Sequence, residues 1–142
     1  MISENLKWLR KQHKMSQEEV ADAIGVSRQA VAKWENGDTT PDIINCTALS
    51  KLYGVSLDDL VNYEKEKTNG FPVPPKGKYI FGTVTVGERG QIVIPAKARK
   101  IFDIHPGDEL LILGDEAQNG IAMMKADLML NMLQQIRKET GL

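Results

Sequence analysis

Cysteine is nearly absent from these 142 residues. One thiol, Cys46, rules out an intramolecular disulfide, and two isolated histidines, His13 and His105, leave no cluster with zinc-ligand spacing. Long apolar runs are missing too: none approaches the ~18 residues a membrane-spanning helix needs. The opening Met1-Ile2-Ser3-Glu4-Asn5 is not basic and then apolar, so no signal peptide is expected; the chain is expected in the cytoplasm, with no membrane partner. There is no phosphate-cradling glycine loop, no nucleophile–base pair and no metal constellation. The expectation is therefore no catalytic residue, no metal, no cofactor and no enzyme. A surplus of positive charge is also lacking: the net charge is −1, and residues 1–64 alone sum to −3 against +2 for 65–142. Averaged over a domain, that balance argues against a polyanionic partner for the first half. Distribution matters more than the sum. Asp58, Asp59 and Glu64 gather at the end of that half, away from Arg28 and Lys33.

The first sixty residues carry repeated helix start and stop signals. Ser3 can cap a helix bearing Leu6, Trp8 and Leu9, and Ser16-Gln17-Glu18-Glu19 reads as a capping box opening a helix that buries Val20, Ala21 and Ile24. Gly25 supplies a turn. Ser27 caps the next helix, from Arg28 to about Glu35, which stops at Asn36-Gly37. Thr40-Pro41 opens a fourth, with a stripe of Ile43, Cys46, Leu49, Leu52 and Tyr53, and Ser56 opens a short fifth. Pattern is lost over 64–78, where polar residues precede Pro72, Pro74, Pro75 and Gly77; this reads as a semi-rigid linker. Beyond it the periodicity becomes two. Thr83–Val86, Gln91–Ile94, Glu109–Leu113 and Ile121–Met124 are strand-like, and Pro95 begins a short helix through Phe102.

Two short capped helices joined by a glycine turn have the geometry that lets the second enter a major groove. At helical spacing, Ala30, Val31 and Trp34 face one way and Arg28, Gln29, Ala32 and Lys33 the other. Arg and Lys can donate to guanine, Gln can pair with adenine, and a small Ala permits close approach. Gln17 and Asn36 stand where side-chain amides grip phosphates. The runs Ser16–Ala21, Gly25–Val31, Lys33–Gly37, Pro41 and Gly54–Leu60 closely resemble the lambda-repressor-like (XRE) helix-turn-helix domain over roughly residues 2–63, although Cys46 stands where leucine is usual. That resemblance implies a five-helix bundle binding double-stranded operator DNA, usually a palindrome, as a dimer. The DNA-contacting candidates are Gln17, Ser27, Arg28, Gln29, Lys33 and Asn36. It also implies a buried pair between Arg10 and Glu35.

Residues 79–125 are too few to enclose a core comfortably alone, and short strands leave unpaired edges; pairing with an identical copy answers both problems. Gly82–Val86, Gly90–Pro95, Lys97–Arg99 and Ile104–Leu110 resemble the AbrB-like swapped-hairpin family, which implies an intertwined homodimeric β-barrel, in regulators and antitoxins, often itself a DNA binder. Arg89, Lys97, Arg99 and Lys100 are a second candidate DNA-contacting cluster. From Ala126 onward, Met129, Met132, Leu133 and Ile136 share one helical face, a stripe for the chain's own dimer or for a protein partner at 126–142. The expected fold class is thus α+β: a helix-turn-helix bundle at 1–63, a linker at 64–78, an AbrB-like dimerisation domain at 79–125 and an amphipathic helix at 126–142. The expected function is a homodimeric, sequence-specific transcriptional repressor. The alternative is an antitoxin that binds a toxin through its C-terminal region and autoregulates its operon.

Overall fold

The computed structural model describes residues 1–141 and divides into two units, one running to Thr85 and one beginning at Val86. The first holds five helices: α1 (Ile2–Gln12), α2 (Gln17–Ile24), α3 (Arg28–Asn36), α4 (Ile43–Tyr53) and α5 (Leu57–Asn62). Local chemistry sets most of the boundaries. Ser16 and Glu19 form the reciprocal capping box, and Ser27 and Ser56 each accept the amide three residues on. Gly25 ends α2 at φ +75°, a left-handed conformation that costs a residue with a Cβ roughly 1–2 kcal/mol.

Two starts differ from expectation. Ser3 does not cap α1, which already begins at Ile2. The fourth helix is capped by Asp42, whose carboxylate accepts the Asn45 amide, so Pro41 lies before it. The stripe of Cys46, Leu49 and Tyr53 still faces the core, but Ile43, expected to share it, stands in the first turn and is 66% exposed. The core is built from Leu6, Leu9, Val20, Val31, Trp34, Leu49 and Leu60, with Cys46 and Tyr53 inside it. One polar residue joins them. Asn5 is buried on α1, and its Nδ2 donates to the carbonyls of Leu60 (3.1 Å) and Tyr63 (3.0 Å) at the end of α5. It answers carbonyls that a helix end leaves unpaired. Asn5→Ala is expected to cost about 1–3 kcal/mol for each carbonyl left dry, read as a lower urea midpoint.

The segment expected as a linker is partly held by the helical unit. A 3-10 turn at Lys65–Thr68 follows α5, the Tyr63 hydroxyl donates to the Phe71 carbonyl (2.9 Å), and the Lys76 amide bonds the Gly54 carbonyl (2.9 Å). Val73 is buried in the same core cluster, and Pro74 is buried too. Composition marks this stretch as irregular, but an irregular chain can still be packed. Ending the chain at residue 66 removes Val73 and the acceptor for Tyr63. The shortened unit is expected to lose about 1.5–3 kcal/mol from Val73 alone, against a chain ending at Thr85, by urea unfolding.

The second unit contains α6 (Ala96–Ile101), β1 (Leu110–Asp115), β2 (Gly120–Lys125) and α7 (Ala126–Thr140). The two strands pair antiparallel, Leu111 opposite Met124 and Leu113 opposite Ala122. Thr83–Val86 and Gln91–Ile94, expected as strands, are not strands here. A strand is defined by a ladder, and the bonds formed near them are those of a turn, Gly87 N–H to the Gln91 carbonyl and Gly90 N–H to the Gly87 carbonyl. Val84, Val86, Ile92, Ile112, Leu113, Ile121 and Met123 are all exposed. Alternating residues on both faces of the hairpin are apolar and uncovered. Leu142, the last residue of the expected C-terminal helix, lies outside the described residues.

Candidate nucleic-acid interface

The α2–α3 pair is fixed from beneath by charge. Arg10 on α1 makes a bidentate contact with Glu35 on α3, Nε to Oε1 at 2.6 Å and Nη2 to Oε2 at 3.0 Å. The Glu35 side chain is 2% exposed and that of Arg10 15%, so the expected pair is present and largely out of water. Arg10 Nη1 also donates to the Met15 carbonyl at 3.0 Å, before α2. This hydrogen-bonded carboxylate holds the guanidinium more firmly protonated than usual. Burial, with the charge of Glu35 adding to it, keeps the neighbouring Tyr53 phenol neutral far above its ordinary range.

Gln17 opens α2, and its Nε2 donates to Glu35 Oε2 at 3.0 Å. Thus one carboxylate joins α1, the start of α2 and the end of α3. Sequence reading places Gln17 correctly at the helix start but misses this tie, because no local pattern announces a contact across eighteen positions.

Above this base, α3 buries Val31 and Trp34 and exposes Arg28, Gln29 and Lys33, with Ala32 half-buried between them. Asn36 is exposed at the far end, before Gly37. Ser27 is exposed at the near end, where its Oγ accepts the Ala30 amide at 3.1 Å. The side chains of Arg28, Gln29, Lys33 and Asn36 have no hydrogen bond or ion pair among the described residues. Chemically this is a rigid rod carrying two cations and two amides, all free to donate.

The second cluster is less united. Arg89, Lys97, Arg99 and Lys100 are all exposed, but Arg89 sits in the Gly87–Gly90 turn and the other three on α6. Arg99 Nε donates to the Ile94 carbonyl at 3.1 Å, which gives it a structural task. In the adjacent turn, Asp108 accepts the His105 amide at 2.7 Å, and that bond holds its carboxyl below the usual range.

Helix-turn-helix geometry with a free polar face on its second helix defines the class, and comparison with known proteins agrees. Residues 6–60 match the helix-turn-helix family model, and residues 83–125 match the model described as antidote-toxin recognition MazE, bacterial antitoxin. The HTH-type transcriptional regulator MJ0272 of Methanocaldococcus jannaschii is 32% identical over 66 residues, which cover 46% of this chain and all of that protein. YqaE of Bacillus subtilis, another HTH-type transcriptional regulator, is 40% identical over 67 residues, 47% of this chain and 58% of that protein. Repressor protein C2 of Salmonella phage P22 is 30% identical over 109 residues, 74% of this chain and 50% of that protein. Apart from MJ0272, the chain spans about half the length of the curated relatives it matches.

The chain belongs to the HTH-type transcriptional regulators, with an XRE-type helix-turn-helix at its N-terminal end and a MazE/AbrB-like domain after it. These are families of regulators, not of enzymes. Among the described residues, no helix is long and apolar enough to cross a membrane.

Proposed function

We propose that this protein is a homodimeric, sequence-specific DNA-binding transcriptional repressor whose α3 lies in the major groove of a palindromic operator. The observation that carries the reading is the uncommitted face of Arg28, Gln29 and Lys33 on a helix clamped by Arg10–Glu35. Arg28, Gln29 and Lys33 contact base edges, and Gln17, Ser27 and Asn36 contact phosphates at either end. With one amide hydrogen given to Glu35, Gln17 keeps its second for a phosphate oxygen, already oriented.

The second unit joins two copies. Its hairpin leaves apolar residues uncovered on both faces, and a two-stranded sheet is marginal in water without another layer. Exchange of hairpins with a second copy supplies that layer and gives the extended 83–86 and 91–94 segments ladder partners, completing a barrel. Arg89, Lys97, Arg99 and Lys100 then form a secondary basic surface for DNA backbone. In this organisation 1–63 reads DNA, 64–78 connects, 79–125 dimerises and 126–142 forms an added helix.

Selection from a random DNA library with the purified full chain tests the reading. The expected product is a palindrome with half-sites about one helical turn, ~34 Å, apart. Recovery of no enriched motif overturns it. A second reading, an antitoxin that also represses its own operon, is favoured by the family match at 83–125. It requires an adjacent gene whose product arrests growth alone and is neutralised by co-expression of this chain.

A further inference from the structure

A connection that must be loose is built from glycine and serine. Residues 64–82 are built otherwise. Pro72 and Pro74 flank Val73, which, standing before a proline, is confined to extended backbone, and Pro75 follows. Little conformational entropy is lost when such a stretch is laid down. It is laid down on the helical unit. Val73 is 5% exposed in the core cluster, the Gly70 amide bonds the Lys65 carbonyl at 2.8 Å, and the Lys76 amide reaches the Gly54 carbonyl after α4. Further on, Asn69 Nδ2 donates to Thr83 Oγ1 at 3.2 Å. Gly82, at φ +89°, lies against the same 3-10 turn, where a Cβ would stand 3.6 Å from the Lys67 carbonyl oxygen. Among the described residues the backbone is next bonded at Gly87, whose amide meets the Gln91 carbonyl in the second unit. That leaves residues 83–86 between the two anchors.

We infer that residues 64–82 are a clamp rather than a tether, and that Val73, by holding them on the helical unit, fixes the half-site spacing the dimer accepts. This rests on the dimeric, DNA-reading role proposed above. Widening an operator by one helical turn adds ~34 Å between its half-sites, or ~17 Å of travel for each α3. Residues 83–86, fully drawn out, span at most ~14 Å. The missing reach must come from the clamped stretch, which as free coil would extend ~25 Å. Releasing it unburies Val73 in both copies, which costs roughly ten- to hundredfold in the binding constant for each. The wild type is thus expected to bind the wider operator about 10²–10⁴-fold more weakly than the one it selects.

Random-library DNA selection with three full-length proteins tests this: the wild type, Val73→Ser, and a chain with about twelve glycine and serine residues inserted between Gly82 and Thr83. The insertion lies ahead of the matched 83–125 domain and leaves Val73 in place, so it lengthens the connection without touching the core. The expected result is one spacing for the wild type, and the same half-site at several spacings for both variants. Several spacings with the wild type, or one unchanged spacing with the variants, overturns the role of the clamp and leaves the dimeric reading standing. Isolated half-sites from all three proteins overturn the dimeric reading, and the spacing role with it. Hydrogen exchange of the Lys76 amide reads the clamp without DNA. Protection is expected in the wild type and the insertion, and its loss in Val73→Ser. Exchange at the unfolded rate in the wild type overturns the clamp itself.

Discussion

Arg10→Ala is expected to destabilise the helical unit by about 3–5 kcal/mol. The cause is the carboxylate left behind. Glu35 is almost fully buried, and without Arg10 its remaining side-chain donor is Gln17. Glu35→Ala is expected to cost less, because the guanidinium lies nearer solvent and keeps the Met15 carbonyl. Replacing both together, Arg10→Met with Glu35→Leu, is expected to recover much of the loss, since no charge is then stranded. Urea unfolding of the four proteins measures all three terms. Operator affinity is a separate readout: the double variant frees Gln17 from its carboxylate, so it is expected to bind more weakly even where it folds as well.

Ending the chain at Thr85 is expected to lower operator affinity by about two to four orders of magnitude while leaving the preferred half-site unchanged. The helical unit keeps its core, its strap through Val73 and all of α3. What it loses is the tether that presents a second reading head to the second half-site. Titration of one palindromic duplex with both proteins, at a stated salt concentration, gives the ratio. Equal affinities would place the dimer contact within the helical unit instead.

Much of this was legible residue by residue. The start signals at Ser16, Ser27 and Ser56 and the stop at Gly25 are local chemistry, and each lies where the sequence puts it. The outward set on α3 follows from helical spacing once the Ser27 cap fixes the phase. Ile43 shows the limit of such spacing. It shares a face with Cys46, Leu49 and Tyr53, which are buried, yet it is the first residue of its helix and periodicity does not say how far the covering core extends. Contacts that close over long sequence distances leave no such trace. Asn5 reaches the end of α5 across fifty-five positions, and Val73 returns to a core whose sequence pattern had already stopped. Proline and polar residues signal only that the backbone is neither helix nor strand. The alternation at 83–86 and 91–94 is a different case. A period of two records a surface that wants a ladder and a second layer, and one chain supplies neither.

The claim that α3 reads bases is tested most directly by the base preferences of Lys33→Ala at every operator position, compared with those of the unaltered chain. Lys33 is exposed and holds no partner among the described residues, so its loss leaves the fold intact. The expected result is discrimination lost by about 1–3 kcal/mol at one or two positions in each half-site, with the others unchanged. Gln17→Ala, measured alongside, is expected to weaken binding to all sequences about equally, as a phosphate contact does. A Lys33→Ala profile that kept every preference of the unaltered chain would contradict the base-reading role of α3.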